Sequence, residues 1–233
     1  MKMSRNRSLK IHFLLDNFLP PIIRDAKWFM IPPFKALFGE KSEAFFGFKQ
    51  SAMAMTEQEF VEVYEQVQPV LIERETDLNA EGFDEILRSL LGQTVLEVGS
   101  GRGLLAKKMS ERHRVTAVDI MIDPKLRNEH PEIDWREAAM ERLPFADDSF
   151  DTVVTTHTLE HVQNIFQAIQ ELRRVTKQRL IIVVPKQRPY AYTFDLHLHF
   201  FPYPHSLLAL MGTGRKNSCR EVGGDLFYVE DME

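Results

Sequence analysis

The sequence predicts an α/β protein built on an open, mostly parallel sheet. Three observations carry that expectation. Short apolar, β-branched runs recur at residues 95–98, 115–120, 150–154 and 180–184, separated by segments long enough for a crossover helix. The first run ends in glycines at alternate positions, Gly99, Gly101 and Gly103, with a helix-compatible segment directly behind (residues 104–109). The chain closes on two polar-apolar runs, 216–222 and 225–229, joined by Gly223-Gly224, which reads as a hairpin and hence an antiparallel last strand.

The glycine segment reads as a strand, a tight turn and a helix start, the place where open α/β sheets bind nucleotide-like ligands. Glycine allows positive φ and lets a ligand approach without meeting a Cβ. A dinucleotide fingerprint needs G-x-G-x-x-G to seat a pyrophosphate on the helix N-terminus. Here Leu104 stands where the third glycine would be, and the pattern is E-x-G-x-G-x-G from Glu97 to Gly103. Glu97 would repel a phosphate and suits a ligand that carries positive charge. The run at 115–120 contains a second acid, Asp119, at the end of its strand. A carboxylate there can accept both hydroxyls of a ribose.

These residues, together with Leu143-Pro144-Phe145-Ala146-Asp147-Asp148-Ser149-Phe150-Asp151, resemble the motifs of class I S-adenosylmethionine-dependent methyltransferases, in particular the group acting in ubiquinone and menaquinone biosynthesis. The likeness runs over roughly residues 80–229. It implies a Rossmann-like, doubly wound, seven-stranded α/β sheet, mostly parallel with an antiparallel last strand. It also implies S-adenosylmethionine as cofactor. Gly99, Ser100, Gly101 and Gly103 would pass under its methionine and ribose. Glu97 would organise its amino end, Asp119 would hold the ribose and Ile120 would lie beside the adenine. Backbone near Thr156 would meet the methionine moiety. The family's acid for the adenine amino group aligns with Ala139, so backbone near Met140 and apolar packing would take over that contact. Glu141 matches a second acid of the family's stretch.

Composition is that of an ordinary globular protein, 44% hydrophobic and 27% charged over 233 residues, room for one α/β core and an appendage. A single cysteine, Cys219, excludes an internal disulfide framework and a multi-cysteine metal site; it reads as a strand residue and fits a cytoplasmic location. A net charge of −5 argues against general nucleic-acid binding. The charge is unevenly spread. Residues 1–55 hold nine Lys/Arg against four acids, a balance of +5, which leaves −10 on the remainder.

That N-terminal arm lies outside the resemblance. The expected division is a helical extension over 1–75 and the cofactor-binding domain over 76–233. The arm is crowded with Phe, Leu, Ile and Trp, too apolar for a disordered tail. Pro20-Pro21 and Pro32-Pro33 are expected to cut it into short helices. Thr56-x-x-Glu59 offers a capping box for a helix through about Arg74. Its apolar surface has three outlets: its own core as a lid, a second subunit in a homodimer, or a membrane interface. Interleaved Lys, Arg, Trp and Phe suit peripheral contact with an anionic membrane.

Chemistry is expected at the C-terminal ends of the fourth and fifth strands. His157, Glu160 and His161 fall at i, i+3 and i+4, and Tyr190, Tyr192, Asp195, His197, His199 and His205 follow strand five. A histidine there can act as general base, His157 first and His161 second. The alternative is divalent-metal ligation, which some methyltransferases achieve with Glu-x-x-Glu-His. This chain has His at the first of those positions, and no metal is expected. The reading is transfer of a methyl group to oxygen or carbon of a small, apolar or aromatic acceptor such as a quinone precursor, a lipid or a lipid-linked glycan. An RNA methyltransferase using the His/Glu cluster and a cofactor-binding pseudoenzyme are the alternatives.

Overall fold

The structure, a computed structural model, describes residues 18–39, 42–67, 76–192 and 196–232. The chain divides into two compact units, Met1–Arg74 with Arg188–Leu198, and Glu75–Gln187 with His199–Glu233.

The first unit is helical. Its described elements are α1 (Pro21–Arg24), α2 (Lys27–Phe38), α3 (Ser42–Ser51), a 3-10 turn (Ala52–Ala54) and α4 (Glu57–Val67). Met30, Phe34, Phe48 and Ala52 form its buried centre, with Phe34 against Phe46 at 4.9 Å and Phe48 against Phe60 at 5.7 Å between ring centroids. The expected capping box is present. Thr56 N–H donates to Glu59 Oε2 at 2.8 Å, and Glu59 N–H to Thr56 Oγ1 at 3.3 Å. That helix is described to Val67; the expected continuation to Arg74 lies outside the described residues.

Pro20-Pro21 starts a helix, as expected, but Pro32-Pro33 does not end one. Both prolines lie inside α2. Proline removes the bond to the carbonyl four residues back. Here Met30 and Phe34, both fully buried on one side of α2, hold the helix together across the gap. Pro32 lies on the exposed side, where solvent reaches the backbone.

The segment after strand five belongs to this helical unit. The Arg24 guanidinium donates to Pro189 O at 2.7 Å and lies 4.3 Å from the centre of the Tyr190 ring. Asp25 accepts from Ala191 N–H at 3.0 Å, Lys49 donates to Tyr190 O, and Phe46 meets Tyr192 edge-on at 5.3 Å. Burial pulls the Lys49 ammonium down to about 8.

The second unit carries α5 (Ala80–Ser89), β1 (Thr94–Val98), α6 (Leu104–Ser110), β2 (Arg114–Asp119), α7 (Pro124–Glu129), β3 (Asp134–Glu137), β4 (Phe150–Thr156), α8 (Ile165–Val175), β5 (Thr176–Pro185), α9 (Pro204–Met211), β6 (Lys216–Val222) and β7 (Asp225–Asp231). The seven strands run in the order β3-β2-β1-β4-β5-β7-β6. The pairs from β3 to β5 are parallel, and β7 runs antiparallel to both β5 and β6. Gly223 and Gly224, at φ 58° and 93°, make the two-residue hairpin turn.

Alternation along the strands builds two cores, one per face. Leu96, Val98, Val153 and Ile182 pack with Ile169 and Leu172 of α8. Val95, Val154 and Ile181 pack with Leu105, Ala106 and Met109 of α6. β5 begins at Thr176, earlier than its apolar run suggests, because Arg179 pairs with Asp231 of the lengthened β7 as well as with Thr152 of β4. Cys219 lies in β6, and burial pushes its thiol up to about 11, which keeps it inert.

Two polar clamps fix the stretch before β4. The Arg174 guanidinium binds Glu171 at 2.7 and 2.8 Å, Asp147 at 2.9 Å and the carbonyls of Phe145 and Leu143 at 2.7 and 3.0 Å. Asp151 accepts from the N–H groups of Gln93 and Thr94 at 2.8 and 3.1 Å and from Gln178 at 2.8 Å, tying the starts of β1, β4 and β5 together. The N–H bonds hold its carboxyl down at about 2. A depressed folded-state value means that stability from Asp151 is complete above the unfolded value near 3.8 and is lost as pH falls through about 2. Asp151→Asn is therefore expected to lower the urea midpoint at neutral pH, with the gap from wild type closing as pH falls from about 4 toward about 2. Equal midpoints at neutral pH would contradict this assignment.

Candidate functional site

The site grows from the turn after β1. Gly99, Gly101 and Gly103 all have positive φ, at 79°, 51° and 70°. Two of the three glycines are required by packing. A Cβ on Gly99 would meet Thr158 Oγ1 at 1.9 Å, and one on Gly103 would meet the Trp135 ring at 2.4 Å. A Cβ on Gly101 would meet no atom of the described residues within 4 Å, so packing does not require glycine there. The turn is pinned to the next strand: Gly99 N–H and Ser100 N–H both donate to Val118 O, at 2.7 and 3.0 Å. Gly101 N–H donates to Asp119 Oδ2 at 2.7 Å.

Two acids lie at this turn. Glu97 is 3% exposed, and its Oε2 has no hydrogen-bond partner among the described residues. Burial and then the Asp119 charge push its carboxyl well above the usual range, against a lowering backbone bond from Ala106. Burial also raises Asp119, opposed by N–H bonds from Gly101, Met121 and Ile120. Ser100 Oγ and Thr155 Oγ1 are further buried polar atoms with no partner among the described residues. Buried polar groups are ordinarily paired, so these atoms leave bonding capacity for a ligand. A ligand with a positively charged end relieves the Glu97–Asp119 repulsion, and one with hydroxyls supplies the missing bonds.

Ile120 and Thr156 are half-buried at the ends of β2 and β4. Thr156 O accepts from Thr158 Oγ1 at 2.9 Å, the same hydroxyl that faces Gly99. The Met140 side chain belongs to the core with Leu96, Val98 and Val118, so its backbone is the part left to meet a ligand. Ala139 is half-buried and offers no acid. Glu141, without an assigned role in the sequence, accepts from Gln163 and Asn164 N–H at 3.1 and 3.3 Å and thereby caps the approach to α8.

At the end of β4, His157 has a left-handed backbone, φ 50°, uncommon for any residue but glycine. Its N–H donates to Val183 O at 2.9 Å, and its ring stands between two acids. Nε2 is 3.3 Å from Asp225 Oδ2, and Nδ1 is 3.7 Å from Glu160 Oε1. Glu160 is fully buried and also lies 4.0 Å from His161 Nε2. Asp225 is held in turn by Asn79 Nδ2 at 2.6 Å, while Asn79 Oδ1 caps α5 through Gly82 N–H. Asp225, Asn79 and Thr155 were not expected from the sequence. Only Asn79 left a signal, as an N-cap residue ahead of a helical run.

His199 and His205 have different ring partners. His199 Nε2 bonds to Val162 O at 2.9 Å and burial lowers its pKa, so it holds the β4–α8 connection. His205 stacks on Tyr203 at 5.1 Å. Tyr190, Tyr192 and His197 belong to the helical unit, and Asp195 lies outside the described residues.

Residues 96–184 match the family model described as a methyltransferase domain. The match spans less than half of the chain and agrees with the resemblance that the motifs carry. A ubiquinone/menaquinone biosynthesis C-methyltransferase of Klebsiella pneumoniae is 32% identical to this chain over 139 residues, 52% of this chain and 55% of that one. A demethylmenaquinone methyltransferase of Porphyromonas gingivalis is 32% identical over 124 residues, 46% and 49% of the two chains. The chain thus spans about half the length of the curated relatives it matches. Among solved structures, the 1,6-didemethyltoxoflavin-N1-methyltransferase of Burkholderia thailandensis, with S-adenosylhomocysteine bound, has the same fold at a TM-score of 0.55 and 21% identity, over 78% of this chain and 88% of that one. The likeness is one of fold, and it agrees with the sheet that the sequence motifs imply.

The glycine turn offers a direct separation of packing from binding. Gly99→Ala is expected to destabilise the second unit severely, since the new Cβ overlaps Thr158. Gly101→Ala should cost only the left-handed strain of about 1–2 kcal/mol while weakening S-adenosylhomocysteine binding. Thermal unfolding and calorimetric titration of both variants check this. Wild-type affinity in Gly101→Ala would show that ligand does not pass there.

Proposed function

We propose that this chain transfers the methyl group of S-adenosylmethionine to an oxygen or carbon of a small, apolar or aromatic acceptor of the quinone-precursor type. The observation that carries the cofactor half is the pair of raised acids, Glu97 and Asp119, around a glycine turn with open space at Gly101. The acceptor half draws on the printed activities of relatives such as the 2-phytyl-1,4-naphtoquinone methyltransferase of Trichormus variabilis, 35% identical over 98 residues.

In this reading Glu97 takes the cofactor's ammonium, Asp119 its ribose hydroxyls, and Ser100 and Thr155 supply buried hydroxyls to its polar atoms. The cofactor, when bound, supplies an electrophilic methyl group on a sulfonium. The protein's share of the rate is largely positioning and exclusion of water. His157 is the first candidate for receiving the acceptor's proton and His161 the second. Asp225 beside Nε2 favours a proton on that nitrogen, so Nδ1 is the basic one. Glu160, 3.7 Å from Nδ1, stabilises the charge the ring then gains.

The test is transfer of labelled methyl groups into a host lipid extract and, separately, into total RNA. Label in the lipid fraction is expected; label only in RNA, or none despite tight cofactor binding, would overturn the reading. Asp119→Ala should weaken cofactor affinity by about tenfold or more, the size of a lost charge-assisted pair. His157→Ala should lower the rate about 100-fold or more with little change in cofactor affinity. A rate and pH profile identical to wild type would remove His157 as the base.

A further inference from the structure

Helix α2 carries an exposed apolar stripe that neither core explains. Its sequence, Lys-Trp-Phe-Met-Ile-Pro-Pro-Phe-Lys-Ala-Leu-Phe, contains two lysines and no acid. At 100° per residue the positions separate cleanly. Phe29, Met30, Pro33 and Phe34 share the inward side, where Met30 and Phe34 are fully buried. Lys27, Trp28, Ile31, Pro32, Lys35 and Ala36 share the other side, and all of these except half-buried Ile31 are exposed. Trp28 is 70% exposed, and Ile22 on α1 is 85% exposed. A solvent-facing helix side is ordinarily polar, with charges of both signs. This one presents a tryptophan, an isoleucine and a proline between two lysines about 12 Å apart along the axis.

We propose that this side of α2 docks on an anionic lipid bilayer, lying in the interface with Trp28 at the acyl boundary and Lys27 and Lys35 at the headgroups. The charge pattern selects that occupant over a second copy of the chain. Two such stripes facing each other would bring lysines together with no acid on either surface to pair with them. Negative headgroups meet the same lysines favourably, and an aromatic ring with a polar edge suits the headgroup boundary. Residues 1–55 as a whole carry +5 while the remainder carries −10, so the attraction is concentrated in this part of the chain. No described helix is long and apolar enough to cross a membrane, which fits a helix lying in the interface. The inference stands independently of the methyl acceptor.

The chain has two tryptophans, Trp28 and the buried Trp135, so emission reports on this stripe against a constant background. The full chain is titrated with vesicles of phosphatidylcholine alone and of phosphatidylcholine with about one-third phosphatidylglycerol, following tryptophan emission and co-sedimentation. The expected result is a blue shift and co-sedimentation with the anionic vesicles, both falling as salt rises. Trp28→Glu, and separately the double change Lys27→Glu with Lys35→Glu, should lower partitioning by at least about tenfold. Phe166→Glu, at a residue 66% exposed on α8, should leave it unchanged. Circular dichroism of each variant verifies folding, which substitutions at exposed positions should leave intact. No blue shift with anionic vesicles, or partitioning unchanged in folded Trp28→Glu, would overturn the proposal. So would a dimer in sedimentation that Trp28→Glu converts to monomer without any vesicle binding.

Discussion

The parallel pairing of β1 with β2 is the constraint on which the site depends. Glu97 faces Ala117 in the register, and Val118 then receives the N–H groups of both Gly99 and Ser100. That double attachment bends the chain into the glycine turn and aims Gly101 N–H at Asp119. Two carboxylates are consequently held in one partly dry corner at the C-terminal ends of the strands. Each raises an electrostatic cost that burial makes worse. Natural sequences keep such a conflict where a ligand resolves it, here one that brings a positive charge and hydroxyls to the same corner.

The end of β4 follows the same logic. His157 adopts a left-handed backbone so that its ring stands between Asp225, from the start of β7, and fully buried Glu160. The antiparallel return of β7 is what delivers Asp225, and Asn79 at the start of α5 fixes that carboxylate in turn. The closing hairpin is thus a source of site geometry as well as an edge of the sheet. The clamps of Arg174 and Asp151 hold the preceding loop and the strand starts, away from the glycine turn at the other end of β1.

Much of this was legible in the sequence, for reasons that differ by element. The strand–glycine–helix order and the two acids are local patterns, and φ requirements at Gly99 and Gly103 leave little choice of residue. Strand ends were less legible. β5 starts at Thr176 because its neighbours pair with it there, which no local propensity records. The helix runs through Pro32-Pro33 because tertiary packing at Met30 and Phe34 outweighs the local breaker signal. Asp225 leaves no local signal because its partner lies 68 positions earlier, at His157, and only the sheet order brings them together. Likewise His199 and His205, close in sequence after β5, take different ring partners once folded, Val162 O and Tyr203.

The central claim is that Glu97 and Asp119 form an acid pair awaiting a cation. Calorimetric titration with S-adenosylhomocysteine between about pH 5 and about pH 8, in buffers of differing ionisation enthalpy, tests it most directly. Because burial and mutual repulsion raise Glu97 before binding and the ligand's ammonium lowers it afterwards, binding should release protons and affinity should rise with pH. Glu97→Gln should flatten that dependence. The same proton release and slope in wild type and Glu97→Gln would contradict the account.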